Sequence, residues 1–305
     1  MKDYHTSIFF EPWIGTKYKN GITVNQKGEI QLGTKENDFP KIMILGRDHY
    51  CEKREKCEEY INKNKEIYLN DTASCNMRTE NAEGKKIFEC GQLNYCRKYT
   101  KHVMDDAINE IWESASHTNF RTSLFGLQST ARDWNHILFF NFFQRSNPHP
   151  KNKTEQTKAT EALAQVLANN KPDIIFIWGN KNSQNGIGPA IFANINIFQE
   201  NFDLADIYKN SSKIPQIQID NLQERPFIIL NYKNEDKKCL LCFLQHPSPS
   251  NKKFDKLESF LAIRCFLQHY QDLIIAENKR EVNIQQGAVN TITTYHYSAK
   301  IYTSL

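Results

Sequence analysis

The chain is expected to fold as an α/β protein, a three-layer α/β/α sandwich around a central, mostly parallel sheet. Short runs such as Lys41-Ile42-Met43-Ile44-Leu45, Ile174-Ile175-Phe176-Ile177-Trp178 and Cys239-Leu240-Leu241-Cys242-Phe243-Leu244 are apolar without alternation. That pattern marks strands buried on both faces. Between these runs lie stretches whose apolar residues recur at helical spacing. Strands alternating with helices give a sheet covered on both sides.

Residues 1–40 read as an irregular lead-in packed on the body, with turn-like surroundings such as Pro12-Trp13-Ile14-Gly15. The strand at 41–45 opens the main domain, expected over 41–270. Residues 51–98 are dense in Lys, Glu and Asn, carry Cys51, Cys57, Cys75, Cys90 and Cys96, and show no sustained period, so they read as an insert. Thr100 is a candidate N-cap for a core-facing helix whose stripe is Val103, Met104, Ala107, Ile108, Ile111 and Trp112. A strand is expected over 136–144, an aromatic run interrupted only by Asn141. Thr154 to Asn169 reads as a helix with Ala162, Leu163, Val166 and Leu167 on one face. The strand after Pro172 follows, then strands at 227–230 and 239–244. Phe254 to His269 reads as a helix whose Leu257, Phe260, Leu261, Ile263 and Leu267 face the core. Residues 271–305 form an extension on the same domain, with a strand expected between Val289 and Tyr302.

At 305 residues the chain is long enough for a sizeable core. A net charge of +4 and a pI near 8.5 permit a polyanionic partner without specifying one. No apolar run reaches the roughly 18 residues a membrane span needs, and the start lacks a signal-peptide pattern. A soluble cytoplasmic monomer with no membrane partner is therefore expected. Without an export signal, the eight cysteines are expected to be reduced thiols or metal ligands rather than disulfides. The spacings Cys51-x5-Cys57 and Cys90-x5-Cys96 are wider than the two to four residues usual between structural zinc ligands, so no metal is assigned.

Two stretches stand at strand ends, where open α/β sheets place ligand crevices: Gly46-Arg47-Asp48-His49-Tyr50-Cys51 and His246-Pro247-Ser248-Pro249-Ser250. They resemble motifs of the uracil-DNA glycosylase superfamily. The first keeps Gly, Asp and Tyr at the spacing of the family's Gly-Gln-Asp-Pro-Tyr-His. The second is similar to its His-Pro-Ser-Pro-Leu-Ser. Between them, Phe139-Phe140-Asn141 is similar to the family's base-reading strand, and Ile177-Trp178-Gly179 to a strand ending in Trp-Gly. The similarity spans about 41–270, with 51–98 outside it.

The resemblance implies a uracil-DNA glycosylase-like fold and a monofunctional DNA glycosylase that needs no cofactor. Asp48 would orient the attacking water and offset positive charge on the sugar, while His246 would donate to the departing base. Asn141 would read the pyrimidine edge, though an amide can be turned to suit uracil or cytosine. Tyr50 would pack against the base, with Gly46, Arg47 and His49 beside it. Ser248, Ser250, Lys252, Lys253 and Arg145 would meet phosphates of single- or double-stranded DNA. Arg47, His49, Cys51 and Ser250 depart from the family pattern. Those departures leave open a modified pyrimidine, including a hypermodified cytosine of phage DNA. A non-catalytic nucleic-acid-binding module on the same fold is the alternative of another class. Phe120 is a candidate for stacking on the flipped base.

Overall fold

The uninterrupted apolar runs become the centre of a nine-stranded sheet. The computed structural model describes residues 8, 10–47, 49–50, 77–80, 86–90, 99–143, 146–147, 153–179, 186–204, 216–219, 225–248, 254–280 and 295–297. In chain order the first strands are β1 (Trp13–Ile14), β2 (Ile22–Val24), β3 (Ile30–Leu32), β4 (Ile42–Gly46), β5 (His49–Tyr50), β6 (Met77–Glu80) and β7 (Lys86–Cys90). Helices α1 (Tyr99–Ile108) and α2 (Ala115–Phe125) lead to β8 (Ile137–Asn141), β9 (Ser146–Asn147), α3 (Lys153–Asn170), β10 (Ile174–Trp178) and α4 (Ile187–Ala193). The chain continues through β11 (Phe202–Leu204), β12 (Gln216–Ile219), β13 (Arg225–Tyr232), β14 (Lys238–Leu244), α5 (Lys256–Arg280) and β15 (Tyr295–Tyr297).

The strands lie in the order β1-β8-β4-β10-β14-β13-β12-β15, with β11 also on β13. The central strands β8, β4, β10 and β14 are mutually parallel. Antiparallel pairing appears on the flanks, at β1 against β8 and at β13 against β14. Alternate side chains of the centre enter two separate cores. Met43, Leu45, Phe140, Ile175 and Ile177 pack with Leu163, Leu167 and Ile191 of α3 and α4. Ile42, Ile44, Phe139, Phe176, Trp178 and Leu244 pack with Met104, Phe120, Leu124 and Phe266 of α1, α2 and α5. Helices therefore cover both faces, which is why these strands are apolar except at an end, Asn141 in β8 and Lys238 in β14.

The parallel strands are held in register at their starting ends by Asp173. Its backbone N–H donates to Lys41 O at 2.9 Å, and its carbonyl accepts from Leu240 N at 2.8 Å, so it bridges β4 and β14. Its carboxylate accepts from Lys41 N at 2.7 Å and from the Tyr270 hydroxyl at 3.1 Å, and pairs with Lys237 Nζ at 3.1 Å. Burial, reinforced by Lys237, lowers the Lys41 amine to about 8. Burial, followed by the charge and hydrogen bond of Asp173, raises the Tyr270 phenol.

Helix ends differ from the sequence expectation: Thr100 lies inside α1 rather than capping it, and α5 runs from Lys256 to Arg280 rather than ending at His269. The helix begun near Thr100 stops at Ile108, short of Trp112. Glu110 takes a left-handed φ of 60°, Ile111 N donates to Asp106 O at 2.9 Å, and Glu110 N to Ala107 O at 3.1 Å. This is a Schellman ending built without glycine. It turns Ile111 and Trp112 outward, 71% and 54% exposed, rather than into the core. Leu257, expected to face the core, is likewise 61% exposed in the first turn of α5. Helix α2 was not expected, because its sequence offers only Phe120 and Leu124 as fully buried large apolar residues. Among the described residues no helix is long and apolar enough to cross a membrane. Within 51–98, Met77–Glu80 and Lys86–Cys90 pair as an antiparallel hairpin. The cysteine cluster expected there lies outside the described residues except Cys90, of which the backbone is described.

Replacing Asp173 with Ala strands Lys237 and two donors in a mostly buried position. The variant is expected to lose about 3 kcal/mol, toward the lower end of the cost of breaking a buried ion pair. Urea unfolding checks this; a loss below about 1 kcal/mol, the value of an exposed pair, would contradict the role given to Asp173.

Candidate active site

Residues two apart along a strand share a face, so the α2 side of the sheet carries Ile44 then Gly46, Phe139 then Asn141, and Phe176 then Trp178. The register places Gly46 opposite Asn141 and Trp178 opposite Leu244, with His246 two residues beyond. These positions form one row across the carboxyl ends of β8, β4, β10 and β14. At about 4.8 Å per strand, three steps separate the strands of Asn141 and His246 by roughly 14 Å. Strands β4 and β10, with Gly46 and Trp178 in the row, lie between them.

Gly46 makes room for the amide. A Cβ there would stand 2.3 Å from Asn141 Oδ1 and 3.0 Å from Phe139 Cζ. Asn141 is only 8% exposed, so its amide is held over the glycine rather than in solvent. The parallel ladder continues past the strand ends. Phe142 N donates to Gly46 O at 2.9 Å and Phe143 N to Arg47 O at 3.0 Å, and His49 and Tyr50 then pair with Ser146 and Asn147. The two segments bearing the base-side candidates thus leave the sheet side by side.

His246 sits in a loop that dictates its tautomer. The backbone N–H of Ser248 donates to His246 Nδ1 at 3.1 Å, which requires a lone pair on Nδ1 and leaves the proton of a neutral ring on Nε2. Asn119 Nδ2 of α2 donates to Pro247 O at 3.0 Å and ties the loop to the helix. The His246 ring meets Trp178 edge-on at 6.0 Å.

Beneath lies His117, which the sequence reading missed. Ser114 caps α2 and accepts from His117 N at 3.2 Å, and its hydroxyl lies 2.5 Å from His117 Nδ1. The imidazole is enclosed by Phe139, Trp178 and Trp134 at centroid distances of 5.1, 5.3 and 6.0 Å. Burial lowers it to about 4, opposed by Glu113 and aided by His246, so it is neutral at pH 7. The only signal in the sequence was Ser-x-x-His at a helix start. Glu113 locks this end of α2 by accepting from Arg121 Nε at 3.0 Å, Thr118 Oγ1 at 2.8 Å and Trp134 Nε1 at 2.7 Å. Burial alone would raise its carboxyl, but these donors outweigh burial and hold it below the usual range.

Gly46, Arg47, Asn141, His246 and Ser248 are thus at one edge, and the backbones of His49 and Tyr50 continue from it. Asp48, Arg145, Ser250, Lys252 and Lys253 lie outside the described residues. Phe120 does not serve as a stacking platform: it is fully buried and packed against Phe176 and Trp178, at 6.3 and 5.2 Å. Comparison with protein-family models and with characterised proteins finds no match to this chain.

Two outcomes follow from this geometry. Gly46→Ala should cost about 1 to 3 kcal/mol by overpacking, and less in an Asn141→Ala background where the clashing amide is gone. Equal costs in both backgrounds, measured by urea unfolding, would contradict the fit. For His117 the unfolded chain, with a pKa near 6.5, binds a proton before the folded one does, so stability is complete above that pH and falls as pH drops toward 4. The loss from this group is about 3 kcal/mol at most, and a His117→Leu variant should show a correspondingly flatter decline between pH 7 and pH 4.

Proposed function

We propose that the chain is a DNA glycosylase of the uracil-DNA glycosylase type, hydrolysing the N-glycosidic bond of a flipped-out uracil or modified pyrimidine and leaving an abasic site. The observation that carries this reading is the Ser248 N–H to His246 Nδ1 hydrogen bond. It puts the proton of a neutral imidazole on Nε2, the nitrogen that would serve a leaving group, two residues past the row that holds the buried Asn141 amide. A hydrogen-bond donor of this kind stabilises an anion without delivering a full proton, which suits a departing base whose charge collects on a carbonyl oxygen.

In the proposed reaction Asn141 grips the edge of the base and His246 Nε2 donates to its carbonyl oxygen. The bond from C1′ to the ring nitrogen breaks, leaving an oxocarbenium-like sugar and an anionic base, by analogy with glycoside hydrolysis. Asp48 orients the water that adds to C1′, and the released proton ends on the base or in solvent. Ser248 and the cations Arg145, Lys252 and Lys253 meet phosphates at the rim, while Ser250 supplies no apolar bulk to refill the vacated stack. The chemistry needs no metal or organic cofactor.

The test is base release from oligonucleotides carrying uracil, 5-substituted uracils or modified cytosines, single- and double-stranded, with abasic sites cleaved by alkali. Wild type should release at least one of these bases. Asp48→Asn and His246→Ala should each lower release by roughly 100-fold or more, as loss of one preorganised electrostatic group does, with DNA affinity kept within a few-fold. DNA binding with no release of any base by wild type would instead favour a binding module.

A further inference from the structure

The starting ends of the parallel strands, at the opposite end of the sheet from the proposed site, gather more cations than carboxylates. Lys41 precedes β4, Lys171 follows α3 and Lys237 precedes β14. Asp173 is paired with Lys237 at 3.1 Å, and Glu235 is paired with Lys171. Asp173 meets Lys41 through the main chain, accepting from Lys41 N at 2.7 Å, and among the described residues no ion pair joins the Lys41 amine to a carboxylate. The other polar groups nearby are uncharged, because burial raises the phenols of Tyr18, Tyr232 and Tyr270 and the thiol of Cys239. Three lysines thus share two carboxylates, and Lys41 is the one left over.

The bonds of Lys237 decide what becomes of the third amine. An ammonium has three donors and no acceptor. Lys237 Nζ gives one to Lys171 O at 2.6 Å and one to Asp173 Oδ1 at 3.1 Å, and the Lys41 amine is its hydrogen-bond neighbour. A hydrogen bond between two lysine amines requires one of them to lack its extra proton, and Lys237, which holds the carboxylate, keeps its own. Lys41 is fixed in this place by its main chain, since Asp173 N and Ile174 N both donate to Lys41 O, at 2.9 and 3.2 Å. Its side chain is half-buried rather than enclosed. A lysine beside a second cation in a partly desolvated place is a recurrent source of nucleophilic amines. We propose that Lys41 Nζ is a nucleophilic amine on which the chain is acylated by small acyl donors of the acyl phosphate class. The nitrogen lone pair bonds to the acyl carbon, the bond from that carbon to the phosphate oxygen breaks, phosphate leaves with the electron pair, and the proton lost from nitrogen goes to solvent. The resulting amide oxygen can accept the third Lys237 proton, so the product suits the same cluster. This site is independent of the glycosylase reading.

The test is brief exposure of the folded protein to acetyl phosphate over a range of pH, with the rate of acetylation at each lysine read by mass spectrometry. Lys35, whose side chain is 82% exposed, is the internal reference. Burial, then Lys237, brings the Lys41 amine to about 8. At pH 7.5 such an amine is unprotonated about 200-fold more often than an ordinary lysine near 10.4, although a weaker base is also a weaker nucleophile. Lys41 should therefore react roughly fivefold or more faster than Lys35 at pH 7.5, and its rate should level off by about pH 9. Lys237→Met frees Asp173 to pair with Lys41, so the midpoint of the profile should rise by about one pH unit or more and the rate at pH 7.5 should fall roughly fivefold. Thermal melting verifies that the variant is folded. If it is not, Lys171→Met, which removes the more distant cation, carries the comparison and should raise the midpoint by a smaller step. A Lys41 rate no higher than that of Lys35, a rate still climbing well above pH 9, or a midpoint unmoved in the folded variant overturns the proposal.

Discussion

Asp173 is the constraint on which the rest of the fold depends. It begins β10 and simultaneously engages the start of β4 through Lys41, the start of β14 through Leu240 and Lys237, and α5 through Tyr270. A carboxylate so enclosed is tolerated only because several donors satisfy its oxygens. Slipping any of these strands by one residue would both strip those donors away and turn each apolar side chain to the opposite face. From this fixed start the register runs unbroken, Ile42 with Ile174 and Leu240 at one end, Leu45 with Ile177 and Phe243 at the other. The residues at the far end are therefore positioned by a charge cluster about five residues away.

What that alignment delivers is parity. Gly46, Asn141 and Trp178 all point to the α2 side because each follows an even number of residues after a core position on that side. Because position 46 lacks a side chain, the Asn141 amide and the Phe139 ring tip fill the spot a Cβ would take, beside the Trp178 ring, and burial there excludes water. Exclusion of water strengthens every hydrogen bond made there. The same exclusion keeps His117 neutral, since charging it would place a cation in an aromatic enclosure. An uncharged floor beneath His246 is compatible with a leaving group that acquires negative charge only late, because a permanent cation there would bind the ground state as well as the transition state.

The central strands were legible because burial on both faces leaves a signal in the sequence that needs no partner to interpret: Ile-Met-Ile-Leu, Ile-Ile-Phe-Ile and Leu-Leu-Cys-Phe. The strand-end candidates followed from those strands, and the edge at which Gly46, Asn141 and His246 meet is where they were expected. The ending of α1 was not legible, since the stripe continues to Ile111 and Trp112 and the left-handed turn is made by Glu110, a residue type with no marked preference for it. Helix α2 was hidden for the opposite reason. Its polar surface is consumed by local bonds, Thr118 and Thr122 back to the preceding turn and Arg121 to Glu113, so few apolar residues are needed to hold it. Losing α2 meant losing His117, whose meaning depends wholly on the sheet it is laid against. Strand β1 is only two residues long, Trp13–Ile14, and its pairing with Phe139 and Leu138 is a long-range event without a local signature.

The loop after β14 joins recognition to chemistry more directly than either motif suggests. Ser248 uses its backbone N–H to fix the imidazole, and in the proposed reaction its side chain would meet a phosphate. If the proposed reaction holds, one residue would touch the leaving-group donor through its main chain and the nucleic acid through its side chain. Pro247 between them restricts φ and removes a competing donor, and Asn119 holds its carbonyl from the helix below. A phosphate that draws Ser248 into place would therefore also settle the Nδ1 bond that keeps the proton on Nε2. On this geometry, correct seating of the backbone is coupled to the competence of the donor, so that the imidazole is best prepared for a departing base when the strand carrying that base is already held.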